Sequence, residues 1–179
     1  MKHFLAVLAS VAVCWAQMAM AETRFSPVEG DFSVCFPSAP TAESQAATSV
    51  DDSGFRRYVS VEGKRTYTIV VDQYPKNIRV PAPTAATYQR LLWSRAHEGA
   101  SKMVSSRPAL LAKLPSWEGT YVLPDGRAEV VRVLVLGDRI YQVSFIHDGQ
   151  GNSDSAAARL FESFQIKTSG LSGEGWPTC

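Results

Sequence analysis

Apolar residues fall at every second position in several short segments of this chain, which is the pattern of a half-buried β-strand. The predicted strands are DFSVCFP (31–37), RRYVSVE (56–62), RTYTIVVDQY (65–74), WEGTYVL (117–123), RAEVVRVLVLG (127–137) and RIYQVSFIH (139–147). A further strand is predicted around Met103-Val104. The segment from Thr41 to Ser53 is rich in Ala, Ser, Thr and Glu, so we expect it to be mobile or to form a weak strand at an edge.

Glycine and proline mark the turns between these strands. Gly63-Lys64, Pro124-Asp125-Gly126 and Gly137-Asp138 each lie between two apolar-rich runs, as expected for tight hairpin connections. The stretch LVLGDRIYQVSF (134–145) could be an active-site loop or a hairpin. We interpret it as a hairpin with Asp138 and Arg139 as solvated turn residues, because every residue in it has a structural role without any chemistry.

Two segments have the period of a helix instead. In TAATYQRLLWSRAHEG (84–99), Thr84 is a natural N-cap and Gly99 a natural C-cap. One side of this helix carries Tyr88, Leu91, Leu92, Arg95 and Ala96. A second helix, SAAARLFESF (155–164), is predicted to be capped by Asn152 or Ser153 and to present Leu160, Phe161 and Phe164 as its apolar side.

The order of these elements is strands, helix, strands, helix. Since hairpins outnumber crossovers, the pattern predicts an α+β fold, with an antiparallel sheet of about six or seven strands and helices packed on it. No repeat or charge run divides the sequence. We therefore predict a single domain over residues 22–166, followed by a tail over residues 167–179.

The N-terminal segment has the tripartite pattern of a secretory signal. Lys2 precedes an uncharged run, Phe4 to Trp15, and Ala19-Met20-Ala21 fits the small-x-small cleavage pattern. We predict cleavage before Glu22, an exported protein in the periplasm or outside the cell, and no membrane anchor after cleavage. A lipoprotein signal centred on Cys14 is the less favoured alternative, because bulky residues flank that cysteine.

The charge balance bears on the class of partner. Removing the first 21 of 179 residues leaves 158, and it removes one of 18 basic residues, Lys2, so that 17 basic and 17 acidic residues remain. A neutral surface without a block of like charges disfavours nucleic acid or an anionic membrane as a partner. No glycine-rich phosphate loop is present, and no cofactor is predicted.

Two cysteines, Cys35 and Cys179, remain after signal cleavage. An even number of thiols in an exported chain favours a disulfide, and here it would tether the tail to the first predicted strand. A bridge between two chains through Cys179, or two free thiols, are the alternatives.

Three segments resemble the PsbP-like family of exported proteins. They are DFSVCFPSAP (31–40), RVLVLGDRIYQVSF (132–145) and ARLFESFQI (158–166), which occur in the family's order. The resemblance implies an antiparallel sheet sandwiched by helices and a role in binding or assembly rather than catalysis. No ligand motif of the family is found, so the resemblance assigns no functional residue.

Two candidate sites follow from the residues alone. The loop HDGQGNSD (147–154) offers metal-ligating side chains at His147, Asp148, Asn152 and Asp154. A calcium loop of the helix-loop-helix type requires Gly and Glu at places that hold Ser153 and Arg159, so a polar loop before a helix is the favoured interpretation.

Aromatic residues supply the other candidate, an interaction surface formed by Trp93, Trp117 and Trp176. For Trp93 and Trp117 the typical burial of aromatics favours positions in the core instead.

No catalytic motif is present. We therefore expect a non-catalytic exported module that binds, or helps to assemble or stabilise, another cell-envelope protein. The alternatives are a periplasmic protein that binds a small ligand or a metal through the 147–154 loop, and a hydrolase whose site is assembled from distant residues.

Overall fold

The computed structural model describes residues 22–46, 53–75, 82–149, 153–167 and 179. The strands of this part are β1 (Thr23–Phe25), β2 (Phe32–Phe36), β3 (Thr41–Gln45), β4 (Gly54–Glu62), β5 (Arg65–Gln73), β6 (Lys102–Leu111), β7 (Leu114–Val122), β8 (Ala128–Leu136), β9 (Arg139–His147) and β10 (Gln165–Ile166). The helices are α1 (Ala85–Glu98) and α2 (Ser153–Ser163). The predicted signal segment, residues 1–21, lies outside the described residues, as does most of the tail.

Seven strands form the main sheet in the order β3-β4-β5-β9-β8-β7-β6, and every neighbouring pair is antiparallel. The predicted hairpin at residues 134–145 is confirmed: β8 and β9 pair with Leu136 opposite Arg139. Gly137 in the turn has a φ of 62°, a left-handed conformation that glycine adopts without steric cost.

Residues of β8 alternate between two hydrophobic clusters, one on each face of the main sheet. Val131, Val133 and Val135 pack with α1, whereas Leu134 packs with α2 and β2 on the other face. The two helices therefore lie on opposite faces. This arrangement confirms the predicted α+β class and the antiparallel sheet between helices.

Helix α1 begins and ends as its sequence predicts. Thr84 accepts a hydrogen bond from the backbone of Thr87, and the N–H of Gly99 donates to the Arg95 carbonyl oxygen. The helix crosses β7 closely at Gly119. A Cβ atom there would lie 2.8 Å from the Tyr121 hydroxyl oxygen, so only glycine fits without displacement of a neighbour.

The predicted apolar side of α2 is confirmed, since Leu160, Phe161 and Phe164 are all buried. Helix α2 begins at Ser153, and Asn152, the other proposed cap, lies outside the described residues.

Residues 41–45 form the exposed edge strand β3, which is one of the two alternatives expected for this segment. The structure departs from the predicted pattern in two places. Strand β2 belongs to a separate small sheet, β1-β2-β10, rather than to the main sheet, and its five residues are all buried. Strands β6 and β7 are joined by a two-residue turn, Ala112-Lys113, which lacks glycine and which the sequence pattern does not indicate.

Candidate functional site

An open groove lies between the end of α1 and the start of β6. Its volume is about 320 Å³. The groove, called the α1–β6 groove below, has apolar walls formed by Trp93, Ala96, Ala100 and Met103, and polar positions at His97, Ser101 and Lys102.

Trp93 is exposed because of its place on the helix. Tyr88, Leu92 and Ala96 recur every four residues and form the buried stripe of α1. Trp93 falls beside this stripe, and 63% of its surface is exposed. Among the Phe, Tyr and Trp residues that the structure describes, it is the single exposed one. The interpretation of Trp93 as a core residue is therefore wrong.

One formally charged residue lines the groove. Lys102 is exposed and lines it, His97 lines it too, and no carboxylate does. Arg90 lies one helical turn before Trp93 and is also exposed. Burial raises the pKa of Asp72, and the charge of the exposed Glu98 adds to this shift.

Ser101 and His97 both line the groove, and a serine and a histidine can act together as a nucleophile and its base. The Ser101 hydroxyl donates to the Gly99 carbonyl oxygen at 3.3 Å, and no hydrogen bond joins Ser101 to His97 although both residues are described. A serine nucleophile needs a base within hydrogen-bond reach, oriented in turn by a third group. Ser101 and His97 therefore do not form a hydrogen-bonded nucleophile–base pair in this structure.

A chain of polar side chains holds α1 on the sheet. Arg95 donates to Glu129 at 2.5 Å and to Gln142 at 3.0 Å, and Gln142 donates to Asp72 at 2.8 Å. Burial raises the pKa of the Asp72 carboxyl, and this effect outweighs the hydrogen bond from Gln142 and the charge of Arg95. These hydrogen bonds link Arg95 of α1 to side chains of the sheet. The network therefore fixes the orientation of α1, the helix that carries Trp93.

The opposite face of the sheet contains a second cluster, centred on Glu118. This carboxylate, 6% exposed, accepts from Arg107 at 2.5 Å and from Arg132 at 2.8 Å. Burial acts to raise its pKa, but the two arginines outweigh burial and hold the pKa below its ordinary value. Arg132 also lies over the Phe161 ring, 4.3 Å from its centroid, and so links the sheet to α2.

A third cluster corrects the interpretation of the β8–β9 turn. Arg139 donates to Asp31 at 2.7 Å, and Arg56 donates to the same carboxylate at 2.6 Å. Asp138 accepts from Gln73 at 3.2 Å. Asp138 and Arg139 are therefore not simply solvated turn residues, since they connect the turn to neighbouring elements.

Of the other two tryptophans in the predicted interaction surface, the structure describes only Trp117. Trp117 is partly buried: its ring stacks on Tyr88 at 6.1 Å, and its indole N–H donates to Ser106 at 2.7 Å. Trp117 therefore packs between α1 and the sheet, in line with its interpretation as a core residue. Trp176 lies outside the described residues.

The 147–154 loop uses its first two side chains within the fold. The His147 ring stacks on Phe145, and its Nδ1 atom accepts from the backbone of Gly149 at 3.0 Å. Asp148 pairs with Lys64 at 3.4 Å. The side chains of Asn152 and Asp154 lie outside the described part, and the described residues contain no group of three metal-ligating side chains.

Cys35 and Cys179 are bonded in the structure, with 2.09 Å between their sulfur atoms and 5.9 Å between their Cα atoms. The backbone N–H of Cys35 also donates to the Ser163 hydroxyl at 3.0 Å, so the disulfide lies where β2 meets the end of α2. This is the intramolecular pairing among the three alternatives that the sequence leaves open.

Comparisons with known proteins identify the fold. No protein-family model matches this chain, and no curated protein resembles it in sequence. The solution structure of cyanobacterial PsbP (CyanoP) from Synechocystis sp. PCC 6803 resembles it with a TM-score of 0.58 at 10% sequence identity. The match covers 89% of this chain and 100% of that chain, so this chain has a PsbP-like fold. None of the helices in the described residues is long and apolar enough to span a membrane.

Proposed function

We propose that this chain is an exported, non-catalytic accessory module that binds another protein of the cell envelope through the α1–β6 groove. The observation that carries the proposal is the exposed Trp93 beside an open, partly apolar groove. Tryptophan is the residue type most enriched at the energetic centres of protein interfaces. Exposing it to water has a free-energy cost that a partner would remove by covering it.

The interactions of the buried carboxylates support a binding role. The buried or partly buried carboxylates of the polar clusters, Asp31, Asp72, Glu118 and Glu129, each face an arginine or a glutamine that fixes the architecture. The PsbP-like fold is consistent with an accessory module, and the predicted signal segment is consistent with export.

In-cell cross-linking tests this proposal. A photoreactive amino acid is placed at His97, which is exposed and lines the groove beside Trp93, or as a control at Val61, in the cells that produce the protein. Val61 is 57% exposed, and its strand β4 is separated from β6 by four strands of the main sheet. We expect an adduct of one defined mass from position 97 and none from position 61. Equal adducts at both positions, or none at either, would contradict the proposal.

A further inference from the structure

The Cys35–Cys179 disulfide has an arginine beside it in the small sheet. Strands β1 and β2 pair with Arg24 directly opposite Cys35. We propose that this disulfide is a redox-active site that exchanges with an external dithiol, and that Cys35 leaves as a thiolate next to Arg24. The site is separate from the α1–β6 groove, so the inference goes beyond the proposed function.

Arg24 and Cys35 lie on the same side of the small sheet. Three alternate residues of β2 face the hydrophobic core: Phe32, Val34 and Phe36. Ser33 and Cys35 lie between them and therefore face the other way. The Arg24 guanidinium donates to the Ser33 hydroxyl at 2.7 Å, so the Arg24 side chain is on that side as well. The Cβ atoms of directly opposite residues are about 4.5–5.5 Å apart, which places the stem of Arg24 beside Cys35.

The charge of Arg24 lacks a counter-ion in a partly buried place. Six cationic side chains have no ion-pair partner within the described residues: Arg24, Arg57, Arg90, Lys102, Lys113 and Lys167. Arg24 alone among them is partly buried, and the other five are exposed. Its Nε atom is buried without a hydrogen-bond partner, and burial lowers the pKa of the guanidinium. Both features cost free energy, and an anion formed beside Arg24 would reduce that cost.

A thiolate at Cys35 is the anion that this position can supply. Cys35 is 7% exposed, and burial in apolar surroundings by itself makes a thiol a poor leaving group, because it disfavours the charged form. A neighbouring cation acts in the opposite direction, since an opposite charge lowers the pKa of an acid by roughly 1–3. Arg24 therefore favours departure of the Cys35 sulfur when the disulfide is attacked.

Exchange begins at the more accessible residue. Cys179 is exposed, so a thiolate of the external dithiol attacks the Cys179 sulfur. A bond forms between these two sulfurs, the Cys35–Cys179 bond breaks, and Cys35 leaves with the electron pair. The second thiolate of the dithiol then attacks the mixed disulfide and releases Cys179. The dithiol is oxidised to a disulfide by two electrons, this protein is reduced, and the two protons of the dithiol pass through water to the released thiolates.

Reduction kinetics under native conditions test the role of Arg24. Residues 22–179 in the disulfide form are treated with dithiothreitol at pH 7 without denaturant, quenched with iodoacetamide and analysed by intact mass. We expect Arg24→Gln to slow reduction about fivefold or more, and Arg24→Lys, which keeps the charge, to change it less than threefold. A merely structural role predicts the reverse, because a loosened small sheet exposes the disulfide. Unchanged or faster reduction of Arg24→Gln would therefore overturn the proposal.

Arg57→Gln is the matched control for the loss of one positive charge. Arg57 precedes Tyr58, which packs in the same core cluster as β2, so Arg57 lies on the opposite face of β4. We expect this variant to be reduced within twofold of the wild-type rate. A slowing equal to that of Arg24→Gln would indicate a general effect of charge and would contradict a specific role of Arg24.

Trapping of the mixed disulfide tests the direction of attack on the wild-type protein, so it does not depend on the folding of any variant. Reduced glutathione is the probe, because a monothiol has no second thiol with which to complete the exchange. Peptide mapping by mass spectrometry then locates the bound glutathione, which we expect on Cys179. Glutathione on Cys35, equal amounts on both cysteines, or no reaction of the wild-type disulfide with either reagent would overturn the proposal.

Discussion

Replacement of Glu118 by Gln tests the energetics of the sheet directly. The substitution keeps the size of the side chain but removes the charge that faces Arg107 and Arg132. Breaking a buried ion pair from one side costs about 3–5 kcal/mol. The two arginines are 71% and 25% exposed and can recover water, so we expect a loss of about 2–3 kcal/mol in the free energy of unfolding at pH 7.

Urea and thermal unfolding measure this loss. A change of this size lowers the Tm by about 4–12 °C in a domain of about 150 residues. Asp125→Asn is the matched control, since Asp125 pairs with Arg127 in an exposed turn and should contribute little to the free energy of unfolding. Equal losses for Glu118→Gln and Asp125→Asn would refute the reasoning.

The pH dependence gives a second check on Glu118. Its pKa is lowered in the folded state, so its stabilising contribution is fully present above the unfolded value of 4.5 and disappears as pH falls through the folded pKa. The variant does not titrate at this position. The stability gap between wild type and Glu118→Gln should therefore narrow below about pH 4.5, and a gap that is constant down to pH 3 would contradict the assignment.

Three further changes should alter stability in predictable ways. Reduction of the Cys35–Cys179 bond, which spans a sequence separation of 144 residues, should lower the free energy of unfolding by up to about 5 kcal/mol, and urea titration with and without reductant measures this. Gly119→Ala should destabilise by about 1–3 kcal/mol in thermal melts, because the added methyl group clashes with a tyrosine side chain. The turn residues Ala112 and Lys113 have φ angles of 52° and 63°, so Ala112→Asn with Lys113→Gly should raise the Tm through turn residues that prefer this conformation.

The local sequence pattern predicts the elements that have a regular hydrophobic period and clear capping or turn residues. Helix α1 between Thr84 and Gly99, and the β8–β9 hairpin at Gly137, follow from side chains close in sequence. The alternation of apolar residues locates strand β2 correctly, but its membership in the small sheet depends on pairing with β1 and with β10, which lies about 130 residues further along. Such long-range pairing leaves no local signal.

The candidate site was only partly accessible from sequence. The sequence makes Trp93 a candidate, but burial statistics for tryptophan wrongly favour a core position because they ignore its place on the helix. The stripe of Tyr88, Leu92 and Ala96 already leaves Trp93 to one side, which is the signal that could have indicated exposure. Lys102 could not be found in this way, since its position beside the helix depends on tertiary packing.

The most direct test of the account is the affinity between this protein and the partner identified by cross-linking, measured by titration calorimetry. We expect Trp93→Ala to weaken binding about tenfold or more without lowering the Tm, because an exposed side chain contributes little to folding. Val61→Ala, the change at the distant exposed position, should leave the affinity unchanged. Wild-type affinity in the Trp93→Ala variant would contradict the claim that the α1–β6 groove is the binding surface.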